Sequence, residues 1–209
     1  MSFIQPAYAT GVYDLPIVRA GEPTWVVDDA DLISRFNENN VGKDLSDLAA
    51  ETGTEVRFVI IRRLDYGETI DSLLADLFQT WYPDAETQAN QVLVGLDSLT
   101  NTTAIQVGET AQAVLDPETA TSVIDETMQA PLVNGDRYNQ CLLDTTERLV
   151  AVLSGLPDPG PPIVQDAINA DSTFASAEET QDSNATTIVI VLLIAATIIP
   201  MLTYFVYVR

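Results

Sequence analysis

The sequence predicts an α/β domain, a small and mostly parallel sheet sandwiched by helices, followed by one C-terminal transmembrane helix. Three observations carry that expectation. Val56–Ile61 and Gln91–Leu96 are near-continuous, largely β-branched apolar runs, the pattern of strands buried on both faces. Helical patterns separate and follow them, the alternation expected of an α/β sandwich. From Ser183 to Val208 no residue is charged.

Taken in order, residues 10–24 are extended and polar, with Pro16 and Pro23. Trp25-Val26-Val27 runs into Asp28-Asp29, a pair placed to cap a helix carrying Leu32, Ile33 and Phe36. Asn37 to Gly42 is expected to break that helix. A second helix, with Leu45, Leu48 and Ala49 on one face, then closes at Gly53. After the strand at Val56–Ile61, Gly67 and Glu68 precede a helix carrying Leu73, Leu74, Leu77 and Phe78. Thr103–Val107 reads as a short strand joined to Gln91–Leu96 through a turn at Asn101. Asp116-Pro117-Glu118 supplies a cap, a first-turn proline and an acid suited to the helix dipole, opening a helix to Met128. A longer helix spans Asp136 to Ser154, with Leu142, Leu149 and Leu153 inward and Gly155 at its end. Within it, Cys141 reads as a small buried apolar residue.

Four segments follow. Residues 1–9 read as the remnant of a signal peptide, because Ala7-Tyr8-Ala9 has the small-x-small form of a cleavage site. Residues 10–155 form the α/β domain. Residues 156–185 form a Pro-rich and then acidic tether. Residues 186–209 form the membrane helix: 188–208, at ~1.5 Å per residue, reach roughly 31 Å, the thickness of a hydrocarbon core. Pro200 inside it is tolerable in a membrane, and Tyr204 and Tyr207 suit an interfacial belt. Glu178, Glu179 and Asp182 precede the span and Arg209 follows it, which places the C-terminus on the cytoplasmic or stromal side.

Composition narrows the chemistry. The 209 residues include 9 Lys+Arg against 31 Asp+Glu, a formal charge of −22, and no histidine. Such a chain repels nucleic acid and anionic headgroups and favours a basic protein surface or a divalent cation. Without histidine there is no His-based triad and no HExxH zinc site, and a single Cys141 forms no internal disulfide.

Several strings point to a family. They are Trp25-Val26-Val27-Asp28-Asp29-Ala30, Arg62-Arg63-Leu64-Asp65-Tyr66-Gly67-Glu68-Thr69, Ala89-Asn90-Gln91-Val92-Leu93 and Tyr138-Asn139-Gln140. With the Ser154–Pro162 run and Thr173–Thr180, they resemble the TPM-domain family, in particular its thylakoid-lumen branch of cyanobacteria and chloroplasts. The resemblance covers roughly residues 16–209. It implies a lumenal α/β domain with a C-terminal thylakoid anchor, and photosystem II subunits as partners in protection and repair. It also implies a weak acid-phosphatase activity and a metal-associated acidic site, with no organic cofactor.

Asp28, Asp29, Asp65 and Asp97 are the candidate metal ligands. Asp65 and Asp97 follow two buried strands, where the ligand crevices of open α/β sheets form. Oxygen donors without His or Cys suit Ca²⁺ or Mg²⁺. Taken singly, each is read first as a helix cap (Asp28, Asp29) or a turn residue (Asp65, Asp97). Phosphate chemistry needs positive charge, and Arg62-Arg63 is the only basic pair, read here as a docking or ion-pairing feature. Ala195 and Ala196, small residues that permit close helix approach, with the Pro200 kink, are the partner-facing candidates of the span. Three functions remain open: a non-enzymatic auxiliary protein of photosystem II, a metal-dependent phosphatase of low activity, and a module of some other membrane complex.

Overall fold

The computed structural model describes residues 9–162 and 185–207. Residues 1–8 of the expected signal remnant, 163–184 of the expected tether, and Val208 and Arg209 lie outside the described residues. The chain divides into two units, Met1–Val164 and Gln165–Arg209.

The first unit is built on a four-stranded sheet in the order β1-β2-β3-β4, from β1 (Val26–Asp28), β2 (Glu55–Ile61), β3 (Gln91–Asp97) and β4 (Thr102–Val107). β1, β2 and β3 are parallel, and β4 returns antiparallel to β3. Alternation sorts the side chains onto two faces. Val26, Phe58, Ile60, Val94 and Leu96 pack under α1 (Arg35–Thr52) and α6 (Tyr138–Leu153). Val27, Val59, Ile61 and Leu93 pack under α2 (Ile70–Trp81). The short α3 (Ala85–Gln88) leads into β3. Beyond β4, α4 (Pro117–Ser122), a π-helical turn (Val123–Met128) and α5 (Gln129–Val133) complete the first layer. The expected α/β sandwich is therefore present.

Its details differ in informative ways. Trp25-Val26-Val27-Asp28 supplies an edge strand, and the helix after it is capped by Ser34 and not by the Asp28-Asp29 pair, which leaves Leu32 and Ile33 in the loop before it. Asn37–Gly42 is no break, because α1 is continuous from the Ser34 cap to Gly53, which takes a left-handed φ of 76°. Burial of Val41 with Leu45 and Leu48 overrides the poor propensity of the asparagines. Phe36 lies in the first turn of α1 and is exposed. The helix after Asp116 opens on the expected cap, with the carboxylate accepting from the Glu118 and Thr119 amides. It then widens, one turn before Pro131. A proline ring crowds the carbonyl four residues back and offers it no N–H, and the π turn absorbs that mismatch. Cys141 is buried as expected, its thiol pushed up to about 12 by desolvation.

The second unit contains α7 (Ala185–Tyr207), a 23-residue helix with Pro200 inside it. Several of its side chains, Ala195 among them, lie outside the described residues. On the described residues no helix is long and apolar enough to cross a membrane, so the structure supplies the helix without showing the span.

Candidate functional site

The carboxyl edge of the parallel strands is where Asp28 and Asp97 end their strands, on either side of β2. Register decides what they do. Asp28 pairs with Ile60 and Asp97 with Ile61, neighbours that point to opposite faces of the sheet. Two carboxylates on opposite faces cannot close on one ion. The four candidate aspartates accordingly form no single cage, and among the described residues no three His, Cys, Asp or Glu side chains converge to hold a metal. Arg62 and Arg63 are divided in the same way: Arg62 donates to the Ala30 carbonyl at 2.9 Å beside Asp28, while Arg63 lines a pocket with Asp97.

On the first face, Asp28 Oδ2 accepts the Leu32 and Ile33 amides at 2.8 and 2.7 Å. Its Oδ1 is buried without a partner. Desolvation raises the carboxyl above its ordinary 3.8, outweighing those amide bonds, and nearby Asp31 adds to the rise. The native state therefore holds a proton more tightly than the unfolded chain, so stability falls as pH rises from 3.8 through the raised value, and ionised Asp28 is a standing cost above it. Asp28→Asn keeps an acceptor for both amides and removes the charge. In EDTA at neutral pH it is expected to raise the urea midpoint, with the gain shrinking as the pH falls through the raised value and gone below about 4. An unchanged or lower midpoint at pH 7 would refute this.

On the second face, Asp97 is buried and committed to its turn, accepting from the Leu99 amide at 3.0 Å and the Thr100 hydroxyl at 2.7 Å. It shares an open pocket of about 500 Å³ with Arg63, Asp65, Glu68 and Asp71. Asp65 abuts Gly11, where a Cβ would stand 2.9 Å from its Oδ2. Asp29 belongs to neither cluster as a free ligand, since its Oδ2 accepts from Thr10 Oγ1 at 2.9 Å.

The organising residues of the edge went unassigned in the sequence. Asn139 Oδ1 accepts from the Ser34 amide and Asn37 Nδ2, and its Nδ2 donates to the Leu32 carbonyl, so α6 fastens the loop after β1. Tyr138 donates to the Ser98 carbonyl and to Asn101 Oδ1, both at 3.2 Å, fastening the β3–β4 turn. Burial, Asp136 and Asp97 push its hydroxyl up. Among the described residues three non-glycine residues hold positive φ, namely Asp31 (54°), Asn101 (54°) and Asp136 (52°); Asn101 Nδ2 donates to Asp136 Oδ1 at 2.8 Å. Strained backbone gathers at functional edges, and Asn and Asp tolerate it best. The one signal in the sequence was the Tyr138-Asn139-Gln140 string, which marked the place without its role.

Fold and edge together define a small α/β domain whose loop-borne carboxylates flank the carboxyl ends of a mostly parallel sheet. Residues 26–152 match the TPM domain, and the chain belongs to the TPM-domain family. It is 31% identical over 196 residues to a chloroplastic UPF0603 protein of Arabidopsis thaliana, covering 92% of this chain and 68% of that one. A chloroplastic UPF0603 protein of Oryza sativa subsp. japonica is 29% identical over 199 residues, covering 93% of this chain and 66% of that one. The chain thus spans about two thirds of the length of these plant relatives. Among solved structures, the N-terminal domain of a P. gingivalis protein matches with a TM-score of 0.65 at 19% identity, over 71% of this chain and 94% of that one. The BA42 protein of Bizionia argentinensis matches at 0.51 and 17%, over 62% of this chain and 87% of that one. At such identities these two structures show the fold alone.

Proposed function

We propose that this chain is a membrane-anchored auxiliary protein of photosystem II, serving its assembly, repair or photoprotection. Its TPM domain stands in the thylakoid lumen, and α7 crosses the thylakoid membrane once with its C-terminus stromal or cytoplasmic. The observation that carries the reading is α7, a 23-residue helix without one charged side chain, about 34 Å long at the α-helical rise. The chloroplastic relatives support a plastid-type setting. The charge of −22 supports a basic protein partner over nucleic acid or anionic lipid. Ala196 and Pro200, exposed on α7, and Ala195 beside them are the residues through which the helix meets its complex.

The chain is expected to stay with membranes through a carbonate wash and to co-migrate with photosystem II. Replacing α7 by an unrelated membrane helix should keep the first property and lose most of the second. Release by carbonate would overturn the span; full co-migration of the swapped chain would reduce α7 to an anchor.

A divalent cation at Asp28 is a second reading, favoured by the unpartnered Oδ1. Binding would be weak, because no three acidic side chains converge among the described residues. On this reading millimolar calcium raises the midpoint of the native chain by mass action and leaves Asp28→Asn unmoved. Phosphatase chemistry has less support. Arg62 is spent on a carbonyl, Arg63 stands on the other face from Asp28, and the Cys141 thiol is buried.

A further inference from the structure

α1 and α6 run side by side over the first face of the sheet, and between them lies an open groove of about 530 Å³. Its walls come from Asp44, Asp47 and Glu51 of α1 and Glu147 of α6. Its apolar surface comes from half-buried Leu143 and Val150 and from Leu156, which is 61% exposed. We infer that this groove is a docking surface for a basic amphipathic helix of a partner protein.

The charge arrangement selects that occupant. No basic residue lines the groove, and no salt bridge among the described residues engages Asp44, Asp47, Glu51 or Glu147. The arginine of α6, Arg148, is turned inward and closed on Asp158 at 2.7 Å. Asp47 and Glu51 stand four apart on one helix, a spacing at which like charges repel. Glu51 also lies in the last turn of α1, where the helix dipole disfavours an anion and no basic residue compensates. Lysine or arginine side chains entering the groove relieve both unfavourable terms.

The apolar strip selects a helix. Leu143 and Val150 are seven apart on α6, two turns of the same face, the spacing at which an amphipathic helix presents its anchors. From Leu143 to Ser154 the α6 wall is roughly 16 Å long, room for about three turns of a bound helix. The chain's own segment 163–184 does not suit, since it carries Asp166, Asp171, Glu178, Glu179 and Asp182 and no cation. A second copy is repelled by its own charge, as is an anionic lipid surface. This surface lies on the outside of the helical layer, and its argument does not depend on which membrane complex the chain serves.

The test uses the full chain in zwitterionic lipid nanodiscs. Cys141 is buried, so Ser154→Cys at the end of the groove takes an environment-sensitive fluorophore selectively. The probe is a synthetic alanine-based helix with leucines at i, i+3 and i+7 flanked by lysines, and its counterpart with glutamates for the lysines. The lysine peptide is expected to give a saturable spectral shift, weakened about tenfold or more in about 0.5 M NaCl. Asp47→Lys with Glu51→Lys should weaken it by a similar factor and admit the glutamate peptide instead. Leu143→Ala, which shortens the apolar strip without adding charge, should weaken the lysine peptide at temperatures well below the variant's own thermal midpoint. No saturable shift, or affinities for the native and charge-reversed chains within about twofold, overturns the inference. Peptide adsorbed to the nanodisc is common to all variants and cancels in the comparison. Because no photosystem is present, failure here leaves the membrane reading intact, and failure of the carbonate test leaves this one intact.

Discussion

Arg57→Met is expected to lower the stability of the domain by about 3–5 kcal/mol, the loss typical when one partner of a buried ion pair is removed. Arg57 lies mid-sheet on β2 with 0% of its side chain exposed, paired with Glu55 at 2.7 Å. Its Nη1 donates to the Tyr82 hydroxyl at 3.0 Å and to Gln91 Oε1 at 2.6 Å. Nε donates to the Thr24 carbonyl, and Nη2 to the carbonyls of Arg19 and Glu22. The guanidinium also stacks 5.4 Å from the Trp25 ring and 5.8 Å from that of Tyr82. A methionine fills the volume but withdraws the donors from five acceptors and the cation from Glu55, whose carboxylate keeps only the Gly21 amide. Arg57→Lys retains the charge without the planar fork, so its loss should fall between the native chain and Arg57→Met. Urea unfolding followed by the fluorescence of Trp25 and Trp81 reads both. A loss below about 1 kcal/mol for Arg57→Met would mean that the network does no more than an apolar side chain of the same size.

That arginine marks the limit of what was legible. β2 and β3 were plain in the sequence because a strand covered on both faces writes an apolar run, and α2 because Leu73, Leu74, Leu77 and Phe78 recur at helical spacing. Arg57 sits inside such a run, yet its partners come from residues 19–24, 55, 82 and 91 and meet only in the fold. Local propensity misjudged Asn37–Gly42 for the same reason: the burial that makes it helical belongs to the sheet beneath. The aspartates were placed at the right edge with the wrong grouping. Strand position follows from local pattern, whereas the face each carboxylate takes follows from register, and Val26↔Phe58 with Phe58↔Val94 is a tertiary fact. One step of register separates Asp28 from Asp97. The same step separates Arg62 from Arg63.

Gly108→Ala, a change of one methyl, is expected to cost about 3 kcal/mol or more, at the upper end for overpacking. A Cβ at Gly108 would stand 1.9 Å from the Gln88 carbonyl oxygen, 2.6 Å from that of Ala89 and 2.8 Å from the Ala89 carbonyl carbon. These are backbone atoms at the end of α3, so no rotamer change relieves the clash and two chain segments must part. The contacts that hold them are specific. The Gly108 amide donates to Gln91 at 2.8 Å, and the Thr110 and Ala111 amides both donate to the Ala89 carbonyl at 2.9 and 3.1 Å. Gly95→Ala is the control. Its Cβ would meet Leu74 Cδ1 at 2.8 Å, Leu74 Cγ at 2.9 Å and Ile70 Cδ1 at 3.0 Å, atoms of two α2 side chains and none of the backbone, so its loss should be smaller, about 1–2 kcal/mol. The clash lies at the amino end of β3, remote from Asp28 and Asp97 at the carboxyl ends. Amide exchange in Gly108→Ala should therefore accelerate first around Gln88–Gln91 and β4, and least around Leu32, Ile33 and Leu99. Equal midpoints for the two glycine variants would show that the α3–β4 junction yields as easily as a leucine side chain, and the steric account would fail.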